Sequence, residues 1–246
     1  MAFTPVLPDP NNPITPAGAS TGTGPVNGPG YASVSLKSVL PSMTTRTNSG
    51  RAIVRNIAGH KWEMSLSYNP LTRAEFEPLH AFLLQKKGAT SHFFVSLPQY
   101  TAPQDSTFAT YLATSALKPT ANVAAGKDTF MLNTKSGTTF VLSTHKTPSP
   151  GDIFTITDTN DTNHVKVYMI TRVETNSDYS TTPRPTTNEL KISFTPPLQR
   201  SVQASTTAVD FTDVKFRVIN KNKDIGYSLD VNNLYKLSLS LEEAQP

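Results

Sequence analysis

The chain has 246 residues, with 22 Lys and Arg, 18 Asp and Glu, 20 Pro and no Cys. The absence of cysteine excludes disulfide bonds and thiolate metal sites. The 34 threonines and 20 prolines argue against a helical bundle. The net charge of +4 comes from scattered basic residues and does not indicate a dedicated nucleic-acid binder. We expect neither a signal peptide nor a membrane-spanning segment, because no apolar run is long enough.

Residues 1–30 consist mainly of Pro, Gly, Asn, Thr and Ser and contain neither Lys nor Arg. Such a segment buries too little apolar surface to offset the loss of backbone entropy, so it predicts an extended arm. Two interpretations stay open. The arm is disordered, or it lies along a neighbouring subunit with Phe3, Val6, Leu7 and Ile14 as its anchors.

The part that follows the arm reads as β structure. Residues 31–40 and 50–58 are short β-prone runs, and the link at 41–50 is rich in turn formers. The next segment, KWEMSLSY, alternates apolar and polar residues, which is typical of a half-buried strand. Its apolar side consists of Trp62, Met64, Leu66 and Tyr68.

A single helix is predicted at residues 72–87. Thr72 and Glu75 have the spacing of a capping box, and Gly88 is a natural C-terminal stop. Pro78 conflicts with this prediction, since it lies beyond the first turn. One apolar stripe should pack the helix on a sheet; it consists of Phe76, Leu79, Phe82 and Leu83.

Further strands are predicted at SHFFVSLP, with Phe94 in the core, and at residues 214–219. The C-terminal segment NLYKLSLSLEEA alternates strictly, which predicts a last strand in the main sheet. Its apolar side consists of Tyr235, Leu237, Leu239 and Leu241.

Between these parts, residues 121–202 contain short strands at a spacing of roughly 8–15 residues, which favours a small sandwich or barrel. We therefore predict a mainly β fold with one flanking helix (α+β). Residues 31–100 and 206–246 would form one domain, and residues 101–205 would be inserted into it. The alternative is two tandem domains, with the C-terminal strands paired to the middle block.

No pattern indicates catalysis. The five histidines lack metal-site spacing, and the chain has neither a phosphate-binding glycine loop nor a nucleophile elbow. Asp152, Asp158 and Asp161 faintly resemble a calcium loop, but a tight hairpin turn accounts for them better. We therefore predict no catalytic residue, no metal site and no cofactor, and we expect that the protein is not an enzyme.

The basic residues Arg46, Arg51, Arg55 and Lys61 precede Trp62 closely in sequence. They form a solvated strand face, a subunit contact paired with a neighbour's carboxylates, or a contact with a nucleic-acid backbone. With Phe3 and Leu7, they are the candidate interface residues.

The order of these elements resembles structural proteins of tailed-phage tails. The segment KWEMSLSYNPLTRAEFEPLHAFLLQKKGATSHFFVSLP looks like part of the minor tail and distal-tail proteins. The ending LYKLSLSLEEA is similar to the C-terminal strand of such proteins. The pieces PSPGDIFTI, HVKVYMITRV and LKISFTPPLQ resemble a β-insertion found in phage structural proteins.

The resemblance implies a tail-tube-like domain with two packed sheets and a flanking helix. It also implies a homo-oligomeric ring, with a hexamer as the expected order, at the tail tip or baseplate. The partners would be other tail, tube and baseplate proteins, with lumenal contact to a tape-measure protein or passing DNA. The protein would be located in the virion, and in the host cytoplasm during assembly.

Two alternative functions stay open. The first is a receptor- or carbohydrate-binding module at the tail tip, with Tyr100, Tyr111, Tyr168 and Tyr179 as stacking residues. The second is a connector between head and neck.

Overall fold

The structure is a computed structural model that describes residues 6–13, 27–56, 59–181, 184–222 and 225–244. The chain folds into two compact units. Unit 1 combines Met1–Val95 with Arg217–Gln245, and unit 2 comprises Ser96–Phe216. Unit 2 is therefore inserted into the sequence of unit 1.

The described residues form fifteen strands and three α-helices, so the fold is mainly β as predicted. In chain order, the strands are β1 (Tyr31–Val39), β2 (Ser42–Arg46), β3 (Ala52–Asn56), β4 (Lys61–Tyr68), β5 (Phe93–Ser96), β6 (Ala116–Pro119), β7 (Thr129–Ser136), β8 (Ile153–Asp158), β9 (Val167–Glu174), β10 (Leu190–Thr195), β11 (Thr207–Asp210), β12 (Lys215–Asn220), β13 (Ser228–Leu229), β14 (Tyr235–Lys236) and β15 (Ser238–Glu243). The helices are α1 (Arg73–Gln85), α2 (Ser106–Leu112) and α3 (Leu142–His145).

Five strands of unit 1 form one sheet in the order β1-β4-β15-β12-β5. β4 pairs antiparallel with β1 on one side and with β15 on the other. Leu66 of β4 thus lies between Val34 of β1 and Leu239 of β15. The N-terminal and C-terminal alternating segments meet in this sheet, as their apolar periodicity predicted.

Alternation along β4 and β15, together with the apolar stripe of α1, supplies much of the core of unit 1. Eight of the ten residues predicted for the core are buried, namely Trp62, Met64, Leu66, Phe76, Leu79, Leu83, Leu237 and Leu239. The predictions for Phe82 and Phe94 were wrong, because both are only half-buried. Phe93, not Phe94, occupies the inward position of β5 and is fully buried. Phe82 lies at the margin of the helix stripe, with its ring edge-on to Phe93 at 5.7 Å.

Helix α1 begins one residue after Thr72, as the capping box of Thr72 and Glu75 predicted. The Thr72 backbone N–H donates to the Glu75 carboxylate at 2.9 Å, which satisfies a donor that the helix leaves free. The pKa of Glu75 is lowered by its hydrogen bonds to the side chain and backbone of Thr72. Pro78 is accommodated within the helix, which continues to Gln85.

Unit 1 differs from the expectation in two places. The predicted turn at residues 41–50 contains strand β2, which pairs antiparallel with β3 as a separate two-stranded sheet. The resemblance implied two packed sheets. The described part of unit 1 instead holds the five-stranded sheet and two small ribbons, β2–β3 and β13–β14.

Unit 2 is a closed barrel in the order β10-β7-β6-β11-β8-β9, with β9 pairing back to β10. Closure leaves no open sheet edge in the barrel. One continuous apolar cluster fills it, and its large members include Phe108, Phe140, Phe154, Tyr168, Phe194 and Phe211. The sequence left a sandwich and a barrel open as alternatives for the inserted part, and the structure shows a barrel.

Two short helices lie where the sequence predicted none. Helix α2 falls in the segment that reads as a loop, and Asp105 caps it by accepting the Phe108 backbone N–H at 2.9 Å. Phe108 and Tyr111 of α2 are buried in the barrel core. Tertiary burial of these two aromatic residues therefore stabilises a helix whose threonine-rich sequence has low intrinsic propensity.

The unit boundaries differ from the expected residues 101 and 205. β11 belongs to the barrel, because it pairs with β6 and β8. The boundary accordingly falls inside β12, at Phe216 and Arg217, rather than before β11.

Candidate subunit interface

Strand β1 forms one border of the five-stranded sheet. Within the described part of the chain it pairs only with β4, so its outer side carries unpaired N–H and C=O groups. The strand is nine residues long, and each of its residues is at least partly exposed. A long unpaired border of this kind is a template for a strand from another chain.

The opposite border, β5, is shorter and partly covered. β5 has four residues, and Val6 forms a parallel bridge with Phe94 on its outer side. The Leu7 backbone N–H donates to the Phe94 carbonyl at 2.7 Å. The two borders of the sheet are therefore unequal, and β1 is the open one.

One of the two interpretations of the N-terminal segment was an arm that lies along a neighbouring subunit, and the position of Leu7 does not agree with it. Leu7 is fully buried within its own chain, so it is not available on the surface for a second subunit. Gly28 donates its N–H to the Asp9 carbonyl at 3.1 Å, which ties the segment back on itself. A Cβ at Gly28 would lie 2.3 Å from the Pro8 carbonyl carbon, so only glycine fits there. Phe3 lies outside the described residues.

Strands β2 and β3 form a ribbon that extends the connection between β1 and β4. Every β2 residue is exposed, and the register places Met43 opposite Arg55 and Thr45 opposite Ile53 on one face. Met43 and Ile53 are 61% and 49% exposed. A two-stranded ribbon is only marginally stable alone in water, and this one also presents apolar side chains to solvent.

The predicted basic cluster separates into two parts. Arg46, Arg51 and Arg55 lie on or beside the exposed ribbon, and residues 38–60 contain no acidic residue. Lys61, by contrast, lies on the sheet, with its ammonium group 2.8 Å from Glu242 and 3.3 Å from Glu63. Hydrogen bonds to these two carboxylates raise the pKa of Lys61.

Of the three alternatives for the basic residues, pairing with a neighbour's carboxylate does not fit Lys61, because carboxylates of its own chain already compensate its charge. The three arginines retain the predicted exposure, and they give the ribbon a net positive charge.

Exposed apolar side chains are concentrated in unit 1. Among the described residues, eight large apolar side chains are exposed, and all eight lie in this unit: Leu40, Met43, Ile53, Val54, Leu84, Tyr227, Leu229 and Val231. Four of them lie on or next to the β2–β3 ribbon, and three lie on or next to the β13–β14 ribbon. Apolar groups gathered in this way mark surfaces that contact other molecules.

These exposed residues were not predicted from the sequence, for an identifiable reason. The turn formers of the segment PSMTTRTNSG favour a loop and obscure the two adjacent β-branched residues, Thr44 and Thr45. The β-branched residues Thr44, Thr45, Ile53 and Val54 on the two sides of a Gly50 turn were the available signal.

Unit 2 offers a different surface. None of its described residues is a large exposed apolar side chain. Tyr168 is fully buried and Tyr111 is 5% exposed, so the prediction that they stack on a ligand was wrong. Tyr179 contacts Lys191 and Glu174 of its own unit. A groove of about 430 Å³ beside α2 is lined by hydroxyl-bearing residues and His145, without a charged side chain.

Two buried polar side chains of unit 2, His164 and Tyr168, lie within hydrogen-bond distance of each other. The Gln199 backbone N–H donates to the Tyr168 hydroxyl at 3.1 Å, and that hydroxyl lies 2.8 Å from Nε2 of His164. The Tyr168 oxygen accepts from Gln199, and its O–H can donate to Nε2 of a neutral His164 ring. Burial lowers the pKa of His164 to about 4, which keeps the ring neutral.

The aspartates that resembled a calcium loop serve turns, but β8 ends at Asp158 and β9 begins at Val167, so their connection is longer than the predicted tight hairpin. Asp158 accepts the Asn160 N–H at 2.9 Å, and Asp161 accepts the Asn163 N–H at 3.1 Å and pairs with Arg200. Asp152 accepts the backbone N–H groups of Gln104 and Ser149. Within the described ranges, no three His, Asp or Glu side chains are grouped as a metal site would require.

No α-helix among the described residues has both the length and the apolar character to cross a bilayer. Comparison with known proteins finds no matching family model and no similar curated protein.

Proposed function

We propose that this chain is a structural subunit of a tailed-phage tail, which forms a ring at the tail tip or baseplate and initiates or continues the tail tube. Its role is mechanical rather than catalytic. Self-association through unit 1 builds the ring. The resemblance to phage tail proteins implies six copies per ring.

One observation carries this proposal: the open border of β1 is continuous in sequence with the β2–β3 ribbon, and four large apolar side chains and three arginines are exposed on or next to that ribbon. In a monomer, such an unpaired strand border and exposed apolar surface have no structural role and favour aggregation. Assembly with further copies would cover it. The sequence resemblance to tail proteins independently supports the same role.

The border of β1 supplies directional contacts. A strand added to it would form ladder hydrogen bonds, each contributing about 0.5–1.5 kcal/mol net. Because the two borders of the sheet are unequal, one copy presents a different surface to each of its neighbours. Contacts between unlike surfaces close into rings when the rotation between copies permits.

Unit 2 has no open border and no large exposed apolar side chain among its described residues, so it suits the display of a surface to other proteins. Its partners in this proposal are tube and baseplate proteins, and the lumen of the ring would contact a tape-measure protein or passing DNA. The proposed location is the virion, after assembly in the host cytoplasm.

A glycan-binding module is the second candidate, and the hydroxyl-lined groove beside α2 favours it. Hydroxyls and a histidine can hydrogen-bond a neutral sugar, and the groove lacks charge. A glycan array probed with the full chain tests this role. Binding that Thr138→Trp abolishes supports it, and the absence of any bound glycan removes it.

Cryo-electron microscopy of the phage particle that contains this chain tests the leading proposal. We expect density for several copies of unit 1 in a closed ring at the distal end of the tail. Density at the portal end would replace the proposal with the head–neck connector. Absence of the chain from the purified particle would refute both.

A further inference from the structure

The ribbon β13–β14 forms a second exposed hairpin of unit 1. Its strands pair Ser228 with Lys236 and Leu229 with Tyr235. The loop between them is fixed by backbone bonds, from the Asp230 N–H to the Leu234 carbonyl at 3.0 Å and from the Asn233 N–H to the Asp230 carbonyl at 3.1 Å. The hairpin therefore has a defined tip.

The base of this hairpin is anchored on α1. The ring of Tyr227 lies edge-on to Phe76 at 5.0 Å, and Tyr235 stacks on Phe76 at 4.3 Å. The tip nevertheless presents apolar side chains to water. Leu229 is 51% exposed and Val231 is 97% exposed. An apolar pair held in a fixed, exposed position can bind another molecule without first being ordered.

A carboxylate lies between these two apolar residues. Oδ1 of Asp230 accepts the backbone N–H groups of Asn232 at 2.8 Å and Leu234 at 3.1 Å. These bonds lower the pKa of Asp230, so the group is ionised at neutral pH. Both bonds go to the same oxygen, and the positive charge of Lys236 on the same hairpin lowers the pKa of Asp230 further.

The hairpin and the β2–β3 ribbon lie at opposite ends of the same strands. The ribbon joins the sheet where β1 ends and β4 begins. The hairpin joins it beyond the other end of β4, where Leu71 and Tyr235 exchange backbone hydrogen bonds of 2.9 and 2.8 Å. The eight residues of β4 separate the two ends by about 25 Å, at roughly 3.4 Å per residue.

We propose that the ribbon face formed by Met43, Thr45, Ile53 and Arg55 docks on the hairpin tip, Leu229–Val231, of a second copy of this chain. Arg55 then faces Asp230, and Ile53 and Met43 pack against Leu229 and Val231. This inference rests on the proposed self-assembling function.

Charge and position both favour a second copy as the occupant. The ribbon carries three arginines and no acidic residue, whereas the tip presents the ionised Asp230 between two apolar side chains, with Lys236 at the base of the same hairpin. Opposite ends of one sheet give a head-to-tail contact between copies. Such a contact involves two unlike surfaces, as a ring or a continuing tube requires.

Thiol cross-linking of the full chain tests the contact, because the natural sequence has no cysteine. Ile53→Cys and Val231→Cys are prepared separately, labelled with different tags, mixed and treated with a short bis-maleimide. We expect a cross-linked dimer that contains both tags. Val54→Cys is the matched control, since it is 61% exposed but lies on the other face of the ribbon.

Several outcomes would overturn the inference. Cross-linking of Ile53→Cys mainly to itself would indicate a two-fold ribbon contact. Equal yields for Ile53→Cys and Val54→Cys with Val231→Cys would show that the ribbon face is not selective. Oligomers that form without the mixed cross-link would refute this contact and leave the proposed function standing. A monomer without any cross-link would refute both.

The ion pair is tested separately. Asp230→Asn keeps an oxygen that can accept both loop bonds but removes the charge. We expect it to weaken self-association about two- to fivefold, the range for an exposed ion pair. Arg55→Gln should weaken it by a similar factor, and the double variant should be no weaker than either single one. Additive losses in the double variant would show that the two residues do not pair.

Discussion

The backbone N–H of Trp62 donates to the Glu243 carboxylate at 3.1 Å, which joins two residues that are 181 positions apart. Trp62 begins the inward side of β4, and Glu243 ends β15. This contact lies at one end of the ladder in which Leu66 stands opposite Leu239. The barrel sequence separates the two parts of unit 1 along the chain. Pairing between β4 and β15 joins these two parts in one sheet.

Leu66→Ala should destabilise unit 1 strongly, because Leu66 is 1% exposed and lies between two paired strands. We expect a loss of about 2–5 kcal/mol in the free energy of unfolding. Trp62 is the only tryptophan, so urea unfolding followed by its fluorescence reports on unit 1. Ser65→Ala, on the solvent side of the same strand, is the control and should change stability by less than about 0.5 kcal/mol. Similar losses for both variants would contradict the described sheet.

The adjacent phenylalanines of β5 should differ in their effect on stability. Phe93 is fully buried and Phe94 is half-buried. Phe93→Ala should therefore cost about 3–5 kcal/mol, and Phe94→Ala less than half as much. The same Trp62 fluorescence assay measures both, and a larger loss for Phe94→Ala would reverse the assigned face of β5.

Gly28→Ala should release the N-terminal segment from unit 1, because the added methyl group would overlap the backbone of Pro8. We expect faster proteolysis near residues 6–13 without loss of the sheet. Gly30→Ala is the matched control, since a Cβ there meets only the Pro10 ring at an ordinary 3.8 Å. Equal cleavage rates for wild type and Gly28→Ala would show that this close approach does not hold the segment.

The barrel should lose stability as the pH falls from about 6.5 to about 4. Burial lowers the pKa of His164 to about 4, while the unfolded chain titrates near 6.5. The unfolded state therefore binds the proton more readily in this range, and the loss is on the order of 3 kcal/mol. Arg200 lowers the pKa of His164 further, and Asp158 and Asp161 partly oppose the shift.

Hydrogen exchange of β8 and β9, corrected for its intrinsic pH dependence, measures this effect. His164→Asn removes the titrating ring and should flatten the pH dependence between about 4 and about 6.5. An unchanged pH dependence in His164→Asn would assign the effect to another group.

Charges on the β2–β3 ribbon should block assembly. Ile53→Glu combined with Val54→Glu places carboxylates on both faces, and desolvating them in an interface is costly. We expect association to weaken tenfold or more, with Trp62 fluorescence unfolding unchanged. Thr114→Glu combined with Thr138→Glu adds the same charge to exposed positions of unit 2 and should leave assembly intact. Equal loss in both variants would exclude a specific role for the ribbon.

The sequence predicted those elements whose local pattern and tertiary environment agree. Alternation of Trp62, Met64 and Leu66 predicted β4, and the Thr72–Glu75 spacing predicted the start of α1. Both signals are local, and the burial of the apolar side reinforces them.

The remaining features depend on contacts that the sequence does not state. Two adjacent phenylalanines give no indication of which one faces inward, because a shift of one residue exchanges the faces of a strand. Leu7 was expected to anchor the arm on a neighbour, but it is buried against its own chain. The pairing of Lys61 with Glu242 brings together residues that are far apart in sequence, so its charge compensation could not be predicted.

The candidate interface was predicted only in part. The sequence predicted the three ribbon arginines as interface candidates because of their charge. Met43, Ile53, Val54 and the hairpin tip are candidates only because the structure shows that they are exposed. Apolar residues in a sequence are expected to be buried. Only the folded structure distinguishes a valine in the core from one such as Val231, which is 97% exposed.

Sedimentation velocity of the purified full chain over a wide concentration range tests the central claim most directly, because the claim is that unit 1 assembles copies of the same molecule. We predict a discrete assembly of several 26.7 kDa chains, with six as the expected number. A single species of 26.7 kDa at every concentration would contradict it.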